Sequence, residues 1–319
     1  MPSVFVARAF PREITERAAR LFETEVMRGD RPISDEERIE TLRTHDGLLV
    51  TLGDRFTREM FEAAGDIRTR VIANFGVGYN HIDAAAARDH GIMVTNTPGV
   101  LTEATADIAM TLMLMTARRA GEGERLVRAG QWAGWTPTQL LGLDITGGTL
   151  GIVGFGRIGQ AMARKAHYGF GMRILYYNRS AKEVDFPAER IADLEDLCAA
   201  CDVVALHVPG GNTHLLDARH FKAMKESAIF VNTARGDVVD EMALMDALEA
   251  GEIAGAGLDV YEHEPTVPDR LRAMENVVLL PHLGSATWKT RLAMGTMALD
   301  NLEAFFAGRP VPNPVPECR

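Results

Sequence analysis

Cysteine is scarce: three residues in a chain of 319 cannot build a disulfide framework at this length, so a reduced, cytoplasmic setting is expected. Long apolar runs are missing too. The longest candidate, residues 108–116, falls short of the roughly 18 residues that a membrane span needs and reads as a buried helix. Charges early in MPSVFVARAFPREI occupy the place where a signal peptide carries its apolar stretch. There is no basic excess, because 34 Lys and Arg stand against 44 Asp and Glu. With no Lys/Arg run longer than two, nucleic acid and anionic membranes are poor partners. An anionic substrate stays open, since local charge can oppose the global sign. Cys198 and Cys201 are spaced C-x-x-C without a second pair or a His cluster, so they read as core at a helix end. His263, between two Glu, also lacks further ligands, and no metal is expected.

What is present is a globular composition, 46% apolar and 24% charged, long enough for two domains. Short apolar runs at residues 4–7, 47–52, 71–74 and 92–95 read as strands. They alternate with helical patterns at residues 11–24 and 57–64, which implies a parallel sheet with helices on its faces. The charge-rich stretch 30–38 reads as a solvated loop entering a helix. Residues 101–119 form a long apolar helix, expected to be buried between domains or subunits. A Gly-rich connector follows at residues 121–148 and carries Trp132 and Trp135.

A second set of strand-helix repeats then begins. The strand 149–153 runs into Gly154-Phe155-Gly156-Arg157-Ile158-Gly159, followed by a helical run at 160–168 and a strand at 173–177. This is a dinucleotide fingerprint in its required context. Gly154 permits the tight turn, Gly156 lets the backbone approach the pyrophosphate, and Gly159 lets the helix pack on the strand. The helix N-terminus offers N–H groups to the phosphates. After the second strand, a carboxylate would bind the ribose 2′-OH and repel a 2′-phosphate. Here the residues are Asn178-Arg179-Ser180: neutral, cationic and hydroxyl-bearing. They favour NADP(H) over NAD(H), which remains open if Arg179 only stacks on adenine.

Strands at 202–207, 228–232, 255–258 and 277–280 end in residues suited to chemistry. Ligands of open α/β sheets sit outside the carboxyl ends of the strands, and three of these ends carry Arg235, Glu264 and His282. An Arg fork suits the carboxylate and carbonyl of a 2-keto acid. A His can protonate the alkoxide formed as hydride arrives, and a carboxylate on its other ring nitrogen fixes the tautomer and favours imidazolium. By spacing alone Glu262 competes with Glu264. His207 and His81 also lie near strand ends or loops.

The stretches NFGVGYNHID (74–83), NTPGVLTEATADIA (96–109), GIVGFGRIGQ (151–160), VNTARGDVVDE (231–241), GAGLDVYEHEP (255–265) and PHLGSAT (281–287) resemble the NAD(P)-dependent D-2-hydroxyacid dehydrogenases, in their glyoxylate/hydroxypyruvate reductase branch. The resemblance spans essentially the whole chain. It implies two Rossmann- or flavodoxin-like, doubly wound α/β domains with a cleft between them. The substrate domain would be residues 1–98 plus 286–319, and the dinucleotide domain 99–285. It implies Arg235 as substrate anchor, His282 as acid/base and Glu264 as its partner. Val77 and Gly78 would offer N–H groups to the substrate carboxylate, with Leu52 and Gly53 lining the pocket. On the cofactor side it implies Thr105, Arg157, Ile158, His207, Val208, Pro209, Thr213, Thr233, Ala234, Gly284 and Ser285. Asp259 would lie near the nicotinamide carboxamide. A homodimer is implied, with Trp135 reaching the neighbour's substrate site or anchoring the dimer arm. The expected activity is NADPH-preferring reduction of glyoxylate or hydroxypyruvate. The alternatives are a dehydrogenase of larger 2-keto acids and a non-catalytic dinucleotide-sensing module. Glu264, where formate dehydrogenases carry Gln, argues against that branch. The lack of a regulatory domain and of an acid at 178 argues against a 3-phosphoglycerate dehydrogenase.

Overall fold

The computed structural model describes residues 1–27, 29 and 31–319. They divide into two compact units, Met1–Leu101 with Ala286–Arg319, and Thr102–Ser285. Each unit is an α/β layer structure on an all-parallel sheet, and no helix among the described residues is long and apolar enough to cross a membrane.

In the first unit the strands are β1 (Ser3–Val6), β2 (Glu23–Val26), β3 (Gly47–Val50), β4 (Val71–Asn74) and β5 (Met93–Thr95), in the order β2-β1-β3-β4-β5. That is the flavodoxin-like order. β3 and β4 are buried at every residue, because a parallel sheet is covered on both faces and its strands read as continuous apolar runs. Alternate residues feed two cores. Phe5, Leu48, Val50 and Ile72 pack with Phe56 and Phe61. Val4, Val6, Leu49, Val71 and Ala73 pack with Ile14, Ala18, Leu299 and Leu302. The C-terminal helix Trp288–Phe306 thus closes a core begun by the first residues of the chain.

One expectation in this unit needs correction. The helix expected over residues 11–24 runs only over Arg12–Leu21, and Glu23–Val26 form an edge strand. ETEV alternates exposed and half-buried positions beside a single neighbour, β1, so it carries no apolar run to betray it. The charge-rich stretch 30–38 leads, as expected, from a loop into a helix, Asp35–Thr44, closed at its start by a capping box of Ser34 and Glu37. Asp30 itself lies outside the described residues.

The second unit contains β6 (Thr149–Val153), β7 (Arg173–Tyr177), β8 (Ala188–Arg190), β9 (Val203–Leu206), β10 (Ile229–Asn232), β11 (Gly255–Leu258) and β12 (Val277–Leu279), in the order β12-β11-β10-β9-β6-β7-β8. This is the Rossmann order, with its switch point between β6 and β9. The apolar helix is Thr102–Ala117, and its buried Ala106, Ala109, Leu112 and Met113 lie in this unit's own core with Ile229, Val231 and Val278. Its apolar character is thus accounted for within one unit. Gly257 admits it: a Cβ there would stand 2.9 Å from both Leu112 Cβ and Thr116 Oγ1. The Gly-rich connector is not all loop, since Ala120–Arg128 is helical. Cys198 lies in the last turn of a helix, Leu194–Ala200, and Cys201 follows it; both are buried, and burial pushes both thiols up to about 12. Cys201 Sγ fills the space where Gly151 would carry a Cβ, so these thiols are core packing.

Candidate functional site

In the second unit the functional residues follow three neighbouring strands. β10, β11 and β12 are adjacent and parallel, so the segments after Asn232, Leu258 and Leu279 leave the sheet on one side. The first carries Arg235. Asn232 shapes its turn, accepting the Ala234 N–H at 2.9 Å and donating from Nδ2 to the Arg235 carbonyl at 3.0 Å. The next residue must be glycine, because a Cβ on Gly236 would lie 1.9 Å from the Tyr261 carbonyl carbon. That approach presses the Arg235 turn against the segment carrying Glu264. Arg235 is half-buried. Burial pulls its pKa below the ordinary guanidinium value, and the charges of Glu264 and Asp237 pull the other way; it stays a cation.

His282 Nδ1 and Glu264 Oε2 are 2.8 Å apart. The other carboxylate oxygen accepts the Tyr261 N–H at 3.1 Å. Burial works against the ionised carboxylate, but the His282 hydrogen bond and charge, the Tyr261 N–H and Arg235 outweigh it, holding Glu264 below the usual range. With Nδ1 engaged, Nε2 is the ring nitrogen left for a substrate.

His282 itself has φ +56°, a left-handed conformation that is costly for a residue with a Cβ and persists only where neighbours enforce it. Asp259 enforces it. Its carbonyl accepts the His282 N–H at 3.0 Å. Its carboxylate accepts the Leu283 N–H at 2.6 Å and the Gly284 N–H at 2.7 Å. Asp259 is buried, and burial raises its pKa against those two N–H groups and the charge of His282. Both its oxygens therefore serve the turn that carries His282. Thr105, also buried, donates to the Gly284 carbonyl at 3.0 Å.

The glycine turn lies at the β6 end. Gly154 has φ +93°, and a Cβ there would meet the His207 carbonyl at 2.6 Å. A Cβ on Gly159 would stand 2.4 Å from the Gly154 carbonyl, whereas one on Gly156 meets nothing within 4 Å. Gly156 thus opens onto free space at the start of the helix Arg157–Phe170, which no side chain caps among the described residues. Open N–H groups at the N-terminus of a long helix fit a pyrophosphate. Asn178 bridges this turn to the next strand end, accepting from the Phe155 N–H at 3.3 Å and donating to the Ser180 carbonyl at 2.8 Å. Arg179 and Ser180 are exposed. His207 lies with Nε2 3.2 Å from Met162 Sδ and Nδ1 3.4 Å from Thr233 Oγ1, and burial pulls its pKa down to about 4. Val208, Ala234 and Ser285 lie in the same strand-end segments. Pro209 and Thr213 are exposed, as is Trp135.

In the first unit, Leu52 and Gly53 follow β3, while Val77 and Gly78 follow its neighbour β4. Asp54 folds the first turn, accepting from Thr51 N and Oγ1 at 3.0 Å each and pairing with Arg8 at 2.7 Å. Asn74 folds the second, donating from Nδ2 to the carbonyls of Gly76 at 3.1 Å and Gly78 at 2.9 Å.

Reasoning from sequence missed Arg8, Asp54, Asn74 and Asp237. Asp237 Oδ2 accepts the Gly211 N–H at 2.8 Å, and its carbonyl accepts the His214 N–H at 2.9 Å. A polar residue at or past a strand end was the signal available for them.

A family model described as the D-isomer specific 2-hydroxyacid dehydrogenase, NAD binding domain, matches residues 110–284. The chain is 48% identical to the glyoxylate reductase of Thermococcus kodakarensis, over 98% of this chain and 95% of that one. It is 46% identical to the glyoxylate reductase of Pyrococcus furiosus, over 96% and 93%. Its structure is similar to that of an NADPH-dependent glyoxylate/hydroxypyruvate reductase from Sinorhizobium meliloti in complex with NADP and malonate. The TM-score is 0.86 at 36% identity, covering 99% of this chain and 97% of that one.

Proposed function

The chain belongs to the D-isomer specific 2-hydroxyacid dehydrogenase family, a family of NAD(P)-dependent oxidoreductases, and on that premise we propose that it is an NADPH-preferring reductase of small 2-keto acids, glyoxylate and hydroxypyruvate. The observation that carries this reading is the Glu264–His282 pair at 2.8 Å, one strand away from the Arg235 turn.

Gly154, Gly156 and Gly159 with the helix N-terminus would hold the pyrophosphate, and Asn178, Arg179 and Ser180 a 2′-phosphorylated ribose. Bound there, the dinucleotide supplies the hydride that reduces C2 of the keto acid. The rest belongs to the chain. Arg235 holds the substrate and polarises its carbonyl with a fixed positive fork. His282 gives the proton on Nε2 to the carbonyl oxygen as that oxygen becomes an alkoxide. Glu264, kept ionised, accepts Nδ1–H and so fixes the tautomer and ring orientation that leave Nε2 for the substrate. Val77 and Gly78 receive the substrate carboxylate on their N–H groups.

NADPH preference is supported by the neutral Asn178 and the exposed cation beside it. The close relatives' glyoxylate reductase activity supports the substrate class. A homodimer is supported by an exposed apolar group on the arm: Val127 (60% exposed), Trp132 (54%), Trp135 (78%) and Leu141 (67%). Three free thiols suit a reducing cytoplasm.

The test is oxidation of NADPH and of NADH, followed against glyoxylate, hydroxypyruvate and larger 2-keto acids. Higher kcat/KM with NADPH and the two small acids is expected. Preference for NADH removes the argument from residues 178–180. Turnover with larger acids only would transfer the assignment to that substrate class. Dinucleotide binding without any turnover would mean a binding module.

A further inference from the structure

The loop of residues 76–78 is held from behind by asparagines far apart in sequence. Asn96, just past β5, donates from Nδ2 to the Val77 carbonyl at 2.8 Å. Its own carbonyl accepts from Nδ2 of the buried Asn301, in the C-terminal helix, at 3.3 Å. Its N–H donates to the Asn313 carbonyl at 3.2 Å. Asn313 closes the ring, donating from its backbone N at 3.1 Å and from Nδ2 at 3.2 Å to Asn301 Oδ1. The Gly76 carbonyl also accepts the Thr97 N–H at 3.0 Å.

These donors aim the loop. A trans peptide is planar, with its C=O and N–H pointing opposite ways. Drawing the Gly76 carbonyl inward turns the Val77 N–H outward, and drawing the Val77 carbonyl inward turns the Gly78 N–H outward. Among the described residues, neither of these N–H groups makes a hydrogen bond. Two neighbouring outward N–H groups can receive a carboxylate. We infer that Asn96, locked by Asn301 and Asn313, is a positioning residue that sets how tightly the keto acid's carboxylate is held. The C-terminal helix and the segment after it thereby tune substrate affinity. The inference rests on the proposed role of Val77 and Gly78.

The experiment compares Asn96→Ala, Asn301→Ala and Asn313→Ala with the wild type. For Asn96→Ala, KM for glyoxylate should rise about tenfold, as loss of one hydrogen bond to a binding loop implies, with kcat within about threefold and KM for NADPH unchanged. Affinity for oxamate should fall by the same factor. Asn301→Ala, which does not touch the loop, should show the same split. Asn313→Ala, which keeps the backbone bonds and the fold if Asn301→Ala does not fold, should give a smaller rise, about threefold. An unchanged KM, or kcat and both KM values changing together with Tm, overturns the inference. Separately, oxamate added to the wild-type holoenzyme should shift the amide NMR signals of Val77 and Gly78. No shift there removes the carboxylate-loop reading itself. A shift with wild-type KM in the Asn96 variant removes only the role of Asn96.

Discussion

At His282, three residues past β12, the chain turns left-handed, and the three N–H groups of residues 282–284 all end on Asp259. A strained residue at a strand end is held by a buried carboxylate so that its ring can meet Glu264. Replacing His282 by Ala should lower kcat by about two to four orders of magnitude, the usual share of a general acid, while the dissociation constant for NADPH changes little. Turnover within tenfold of the wild type would remove His282 as proton donor. Glu264→Gln keeps the shape and loses the charge, and should cost less than His282→Ala. His207 makes a different kind of prediction. Its folded pKa of about 4 lies below its ordinary value of 6.5, so between those limits the unfolded chain binds the extra proton. Stability therefore rises with pH through that window and is lost as the solution is acidified from pH 6.5 to 4. In His207→Gln the fall of Tm over this range should be shallower; an identical slope would show that His207 is not buried neutral.

At the scale of elements, close approach at glycine sets the geometry. Gly236 lets the segments after β10 and β11 touch, and Gly257 lets the helix Thr102–Ala117 lie on the sheet. In the first unit, Gly295 of the C-terminal helix faces Ile14 of the helix Arg12–Leu21, and a Cβ there would stand 2.6 Å from Ile14 Cγ1. Ile14 is β-branched and stiff, so it cannot swing aside cheaply. Gly295→Val should destabilise by about 1–3 kcal/mol, as overpacking does. Combining it with Ile14→Ala should cost less than the two changes added separately. Denaturant titration of the four proteins decides it, and simple additivity would mean that the helices do not press on each other there.

At the scale of the whole molecule, the chain begins one unit, builds a second, and returns to finish the first. The C-terminal helix is therefore as central to the first unit as β1. The arm after Ala120–Arg128 leaves Trp132 and Trp135 exposed, too much aromatic surface to stay wet without a reason. The wild type should sediment as a dimer and the double variant Trp132→Ser, Trp135→Ser as a monomer or a weaker dimer. A wild-type monomer at micromolar concentration would remove the proposed assembly.

The sequence by itself determined the class of fold and the strand ends that bear Arg235, Glu264, His282 and the glycine turn. Buried parallel strands must be apolar throughout, and a dinucleotide turn must use glycine, so both are written in residue type. It could not show β2 and β8, because edge strands with a wet face carry no apolar run. Nor could it show the work of Asp237, Asn74 and the Asn96–Asn301–Asn313 ring. Those hydrogen bonds join segments that only folding brings together, and a polar residue past a strand end looks the same in sequence whether it orders a site or faces water. Asp259 makes the same point: its place at a strand end was legible, but only the tertiary structure gives both its oxygens to the turn of His282.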